Sequence, residues 1–125
     1  MLLERKNYPQ LDQPVGPYVH AVKYNGLLFL SGLTAFNTPA QQKDIAAQAE
    51  AIFAQIATIA RAEQTGLEAL LKVTVFVTSL AGVDRLREQM FKTYGTHLPA
   101  SSLVQVAQLF SPDLQIEVEA ILAVP

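Results

Sequence analysis

The sequence predicts an α+β domain in which two helices cover one face of a mixed β-sheet. Two stretches carry the apolar period of an amphipathic helix, and the stretches around them alternate or are β-branched as strands are. Their order is β-hairpin, helix, strand, helix, strand, strand. Helices that follow strands point to crossover connections on one side of the sheet. A chain of 125 residues has material for one core, so residues 1–125 read as a single domain.

Leu2 to Lys6 can add a short edge strand. Tyr18 to Tyr24 alternates after Gly16-Pro17, and Asn25-Gly26 separates it from Leu27 to Ser31. An Asn-Gly pair between two apolar runs is a hairpin signal, because both turn positions need positive φ. Gly32 to Lys43 reads as a loop. Asp44 is a helix cap, and Ile45, Ala49, Ile52, Phe53, Ile56 and Ile59 recur at helical spacing up to a stop at Gly66. Leu71 to Thr78 is a strand with Val73, Val75 and Val77 on one face. A second helix spans Val83 to Tyr94, with Val83, Leu86, Met90 and Tyr94 apolar and Gly95 as its end. Ser102 to Ala107 is a strand, Ser111-Pro112-Asp113 a turn, and Leu114 to Leu122 a last strand with Gln115, Glu117 and Glu119 on its polar face. Two helices leave the other sheet face, with Phe76 among threonines, either wet or against another chain.

Composition favours another chain. Half the residues are hydrophobic and 16% are charged, against about a quarter in an ordinary soluble domain. The net charge of −2 gives no counterion-release drive toward nucleic acid. There is no cysteine, so thiolate catalysis and disulfides are excluded. The first six residues are too short and charged for a signal peptide, and no apolar run approaches a membrane span, so a cytoplasmic location is the expectation. His20 and His97 lack zinc-site spacing, and neither a G-x-S-x-G elbow nor a phosphate-cradling loop is present. No metal or cofactor is expected.

Six segments, taken in order, resemble the RidA/YjgF family: Gly16-Pro17-Tyr18-Val19, Leu30-Ser31-Gly32, Ala47-Gln48-Ala49, Val73-Thr74-Val75-Phe76-Val77, Pro99-Ala100-Ser101-Ser102 and Ile116-Glu117-Val118-Glu119-Ala120. The resemblance spans nearly the whole chain. It implies a chorismate-mutase-like subunit, a homotrimer with small-molecule clefts between subunits, and hydrolysis of enamines and imines to keto acids and ammonia. It also implies Tyr18 and Glu119 as catalytic residues, Glu119 positioning the attacking water, and Ser31 and Gly32 as substrate-binding. Ser101 stands where the family carries the arginine that clamps the substrate carboxylate, and Leu103 where many members carry cysteine. Arg87 matches a cleft-side asparagine and is a candidate to replace the lost charge.

Arginine grips a carboxylate with a planar fork, and serine offers one neutral hydroxyl. A hydrogen bond to a charged group contributes roughly 1.5–3 kcal/mol, so the change should weaken carboxylate binding about tenfold to a hundredfold. The reading is therefore an enamine/imine deaminase with an altered substrate. The alternative is a non-catalytic metabolite-binding protein of the same fold, and RNA cleavage comes third. Each site residue also has a plainer role: Glu119 a solvated strand residue, Tyr18 a packed rim aromatic, Ser31 a strand end, Ser101 and Ser102 the entry to a strand.

Overall fold

A computed structural model describes residues 2–125. Its elements in chain order are β1 (Glu4–Lys6), β2 (Ala21–Tyr24), β3 (Leu27–Leu33), α1 (Ile45–Ala62), β4 (Leu70–Val77), α2 (Val83–Tyr94), β5 (Ala100–Gln105) and β6 (Ile116–Ala123), with a 3₁₀ turn at Leu67–Ala69. The strands form one six-stranded sheet in the order β1-β2-β3-β6-β4-β5. β4 and β5 are parallel, joined through α2, and every other pair is antiparallel. The expected mixed sheet with two helices is thus the observed fold.

Asn25 and Gly26 take φ of 56° and 78°, the left-handed pair that the hairpin turn requires. Asp44 caps α1 by accepting a hydrogen bond from the Ala47 N–H at 3.0 Å. The far end of α1 differs from expectation. Gln64, not Gly66, takes the left-handed conformation (φ 65°), and the Thr65 N–H returns to the Ala60 carbonyl at 2.9 Å. The helix is closed before Gly66, whose own backbone is extended. β2 also starts later than its alternation suggests. Tyr18 N–H turns back to the Gly16 carbonyl at 2.9 Å, and the His20 N–H is taken by Asn7 Oδ1 at 2.9 Å.

The core lies between the helices and one sheet face. Ile52, Ile56 and Ile59 of α1 and Leu86 of α2 are fully buried with Leu28, Val73, Val75, Ile116, Val118 and Leu122 of the sheet. Each such side chain contributes about 1.5–3 kcal/mol relative to exposure. Phe53 and Tyr94 tie the helices edge to face, with centroids 5.4 Å apart. On the opposite face the β2–β3 hairpin leaves Phe29 42% exposed and β5 leaves Val104 43% exposed.

A buried ionic staple fixes the N-terminal segment to α1. The Glu63 carboxylate receives Lys6 Nζ at 2.6 Å, the Tyr8 hydroxyl at 2.8 Å and Lys23 Nζ at 3.4 Å. Burial pushes the Glu63 carboxyl up, but the hydrogen bonds from Lys6 and Tyr8, the Lys6 charge and the Lys23 contact outweigh it and hold it below its ordinary value. Glu63→Ala strands the buried Tyr8 hydroxyl and is expected to cost about 1–3 kcal/mol. The carboxylate's contribution is present above its unfolded-state pKa and lost as pH falls through the lower folded value. Urea midpoints of wild type and variant should differ at neutral pH and converge on acidification.

Candidate functional site

The end of β3, the start of its following loop, one face of α1 and residues 10–18 enclose a cleft of about 960 Å³, at the upper end of ordinary small-molecule sites. The segment before β2 forms its strap. Tyr8 N–H donates to His20 Nδ1 at 2.9 Å, so His20 Nε2 carries the proton and donates to the Asp12 carbonyl at 2.8 Å. Asn37 Nδ2 donates to Asp12 Oδ2 at 3.0 Å and joins the strap to the loop after β3. Phe36 and Phe110 meet edge to face at the cleft, with centroids 5.1 Å apart.

Tyr18, Ser31 and Gly32, all expected at the site, line this cleft together. The Tyr18 ring folds against Gly16, where an added Cβ would lie 3.1 Å from Tyr18 Cε1. The Ser31 hydroxyl donates to the Val19 carbonyl at 2.6 Å, so it pins the strap as well as facing the cleft.

Of the two β6 acids, Glu117 lines this cleft and Glu119 does not. Both lie on the same face of β6, because they are two residues apart. β3 pairs Leu30 with Ala120 and Leu33 with Val118, with an irregularity between them. This sets Gly32 directly over the Glu117 side chain, 2.8 Å from an ideal Cβ to Glu117 Cδ. Glu119 is exposed, sits opposite Thr74 of β4 and does not line the cleft. It acts on Glu117 instead: burial pushes the Glu117 carboxyl up, and the Glu119 charge adds to the rise. A carboxyl raised in this way is better matched to proton transfer near neutral pH than an ordinary one.

Ser101 and Arg87 are not brought to the cleft of their own chain. Ser101 is exposed on the edge strand β5, paired with Val73. The neighbouring Ser102 hydroxyl accepts from Lys72 Nζ at 3.0 Å. Arg87 is exposed on α2, which lies away from the cleft. Alternation along β6 could have identified the right face from sequence, but only the register against Gly32 selects Glu117. Asp12, His20, Phe36 and Phe110 carried no sequence signal of a site.

Among the described residues that line the cleft, Asp12 and Glu117 are acidic and none is lysine or arginine. Among the described residues no group of three or more His, Cys, Asp or Glu side chains is placed to hold a metal ion. No helix among the described residues is long and apolar enough to cross a membrane.

A family model described as Endoribonuclease L-PSP matches residues 10–124. The 2-iminobutanoate/2-iminopropanoate deaminase of Escherichia coli K12 is 35% identical over 112 residues, covering 86% of this chain and 87% of the relative. The protein of that name from Salmonella typhimurium is 34% identical over the same shares. Among solved structures, the yeast protein YEO7 superposes with a TM-score of 0.90 at 29% identity, covering 99% of this chain and all of that one. The E. coli YjgF gene product superposes with a TM-score of 0.85 at 28% identity, covering 96% and 98%.

Proposed function

The chain belongs to the RidA/YjgF family, and from that premise we propose that it is a homotrimeric enamine/imine deaminase whose substrate differs from that of its relatives because Ser101 stands in place of the clamping arginine. The observation that carries the reading is Glu117, a carboxyl on the cleft wall above Gly32 whose pKa is raised by burial. In the reaction, water attacks the imine carbon while Glu117 takes its proton. The C=N electron pair moves to nitrogen, which takes up the proton from Glu117, and the carbinolamine then passes its hydroxyl proton to nitrogen and collapses to a carbonyl with loss of ammonia. Tyr18 and Ser31 shape the wall beside the reacting carbon.

Trimerisation explains the uncovered sheet face with Phe29 and Val104 exposed. In that assembly Ser101 belongs to the neighbouring subunit's side of the cleft, while Arg87 lies on α2, away from the cleft, and does not replace the lost charge. The family description also names RNA cleavage. A net charge of −2 and a cleft without lysine or arginine among its described lining residues argue against a polyanionic substrate.

The test generates imines in place with an oxidase, 2-iminobutanoate among them, and follows their loss by semicarbazide trapping with and without the protein. Acceleration of at least one imine, lost in Glu117→Gln, is the expected result. Ser101→Arg should raise kcat/KM for 2-iminobutanoate about tenfold to a hundredfold, the reverse of losing the fork. No acceleration of any imine by wild type or Ser101→Arg overturns the deaminase reading and leaves a metabolite-binding protein. A monomer by sedimentation at micromolar concentration overturns the intersubunit cleft.

A further inference from the structure

We propose that the cleft takes a cationic, carboxylate-free imine with an aryl or bulky apolar substituent, that is, the iminium of an arylalkyl amine rather than of an amino acid. This rests on the deaminase reading for its chemistry and on the cleft wall for its ligand class.

The wall has two features that an imino-acid site does not need. The first is charge. Asp12 and Glu117 face the cleft, and among the described lining residues no lysine or arginine opposes them. A carboxylate ligand would enter beside two like charges with no partner in this chain, and like-charge juxtaposition in a partly desolvated site is strongly unfavourable. A cation meets the opposite situation. Ser101 removes the one group by which the family pattern would have reversed the sign.

The second feature is aromatic surface. Phe36 is 37% exposed, Phe110 59% and Tyr18 44%, and all three line the same cleft. Phe36 and Phe110 are already paired edge to face at 5.1 Å, so the wall they make is formed before any ligand arrives. Exposed rings beside carboxylates suit a cation that carries its own apolar group, because ring faces attract cations and ring edges pack against aryl groups. The cleft volume of about 960 Å³ leaves room for such a group, whereas a four-carbon imino acid would leave most of it to water.

The chemistry balances without a further reactant. The iminium carbon gains a C–O bond from water, and Glu117 accepts the water proton. That proton passes to nitrogen, and the C–N bond breaks to give an aldehyde or ketone and ammonium. The reaction class that must supply the substrate is the two-electron oxidation of a primary amine to its imine.

Four imines separate charge from bulk. A flavin amine oxidase acting on 2-phenylethylamine or butylamine supplies carboxylate-free imines with and without a ring. An L-amino acid oxidase acting on phenylalanine or 2-aminobutyrate supplies the corresponding imino acids. The expected order in kcat/KM puts the 2-phenylethylamine imine first, at least about tenfold above the phenylalanine imine, a gap of about 1.4 kcal/mol. Phe36→Ala and Phe110→Ala should each lower kcat/KM for the ring-bearing amine imine several-fold more than for the butylamine imine. Both positions are exposed, so these variants should keep the wild-type urea midpoint.

Binding is measured separately, by NMR titration with 2-phenylethylammonium and phenylacetate. If no imine is hydrolysed but 2-phenylethylammonium shifts the cleft resonances and phenylacetate does not, the deaminase reading fails and the ligand class stands. Faster hydrolysis of 2-iminobutanoate or of the phenylalanine imine than of the amine imines overturns the ligand class and leaves the deaminase reading intact. Preferential binding of phenylacetate overturns it as well.

Discussion

Glu117→Gln is expected to lower kcat/KM for whichever imine is the best substrate by about a hundredfold to ten-thousandfold, the usual worth of a positioned acid–base group. The amide keeps the shape of the side chain but cannot take a proton from water. Stability should move the other way. A carboxyl whose folded pKa is raised favours the native state below its unfolded value and loses that contribution as pH rises through the folded value. At neutral pH the wild type therefore carries a penalty that the neutral amide removes, and the variant's urea midpoint should be equal or higher. A fall in both activity and midpoint would make Glu117 a structural residue. The acidic limb of the wild-type kcat/KM profile should lie above the ordinary carboxylate range. Glu119→Gln removes the repulsion from two residues along the strand and should move that limb to lower pH with most of the activity kept.

The contrast between these two glutamates shows where sequence reasoning stops. Period-two alternation places Glu117 and Glu119 on one face of β6 without ambiguity, and the family pattern calls for one acid there. The choice between them depends on the irregular pairing of β3 with β6 between Leu30 and Leu33, a long-range register that no local pattern encodes. The strap is similar. Gly16-Pro17 marks only where a strand is expected to begin, and the strap's position depends on His20 bridging Tyr8 and Asp12 and on Asn37 reaching back to Asp12. Local rules did better where a single residue does the local work, as with Asp44 at the start of α1 and Asn25-Gly26 in the hairpin. They missed the end of α1 because Gln64 accepts a left-handed conformation that glycine adopts more cheaply. Tyr18, Ser31 and Gly32 are reached through the family resemblance; Ser31 and Gly32 lie near the end of β3, and Tyr18 in the strap before β2.

Gly32→Ala is expected to lower activity about a hundredfold with little change in stability. The glycine is not needed for its backbone, since its φ is outside the left-handed region. It is needed for space. An added Cβ would overlap Glu117 Oε2 and lie 2.8 Å from Cδ and 3.1 Å from Cγ. These atoms end a flexible side chain at the edge of an open cleft, so the carboxylate can swing aside at small cost to folding. It cannot do so and still orient water, and a displacement of about 1 Å at a reacting group can cost about a hundredfold. The double variant Gly32→Ala/Glu117→Gln decides whether this is the mechanism. If Gly32 acts only by leaving room for the Glu117 carboxylate, the double variant should be no slower than Glu117→Gln alone, because the group that the methyl displaces has already lost its function. Losses that multiply would mean that the methyl blocks the substrate directly, and the close approach of Gly32 to Glu117 would then be incidental to catalysis.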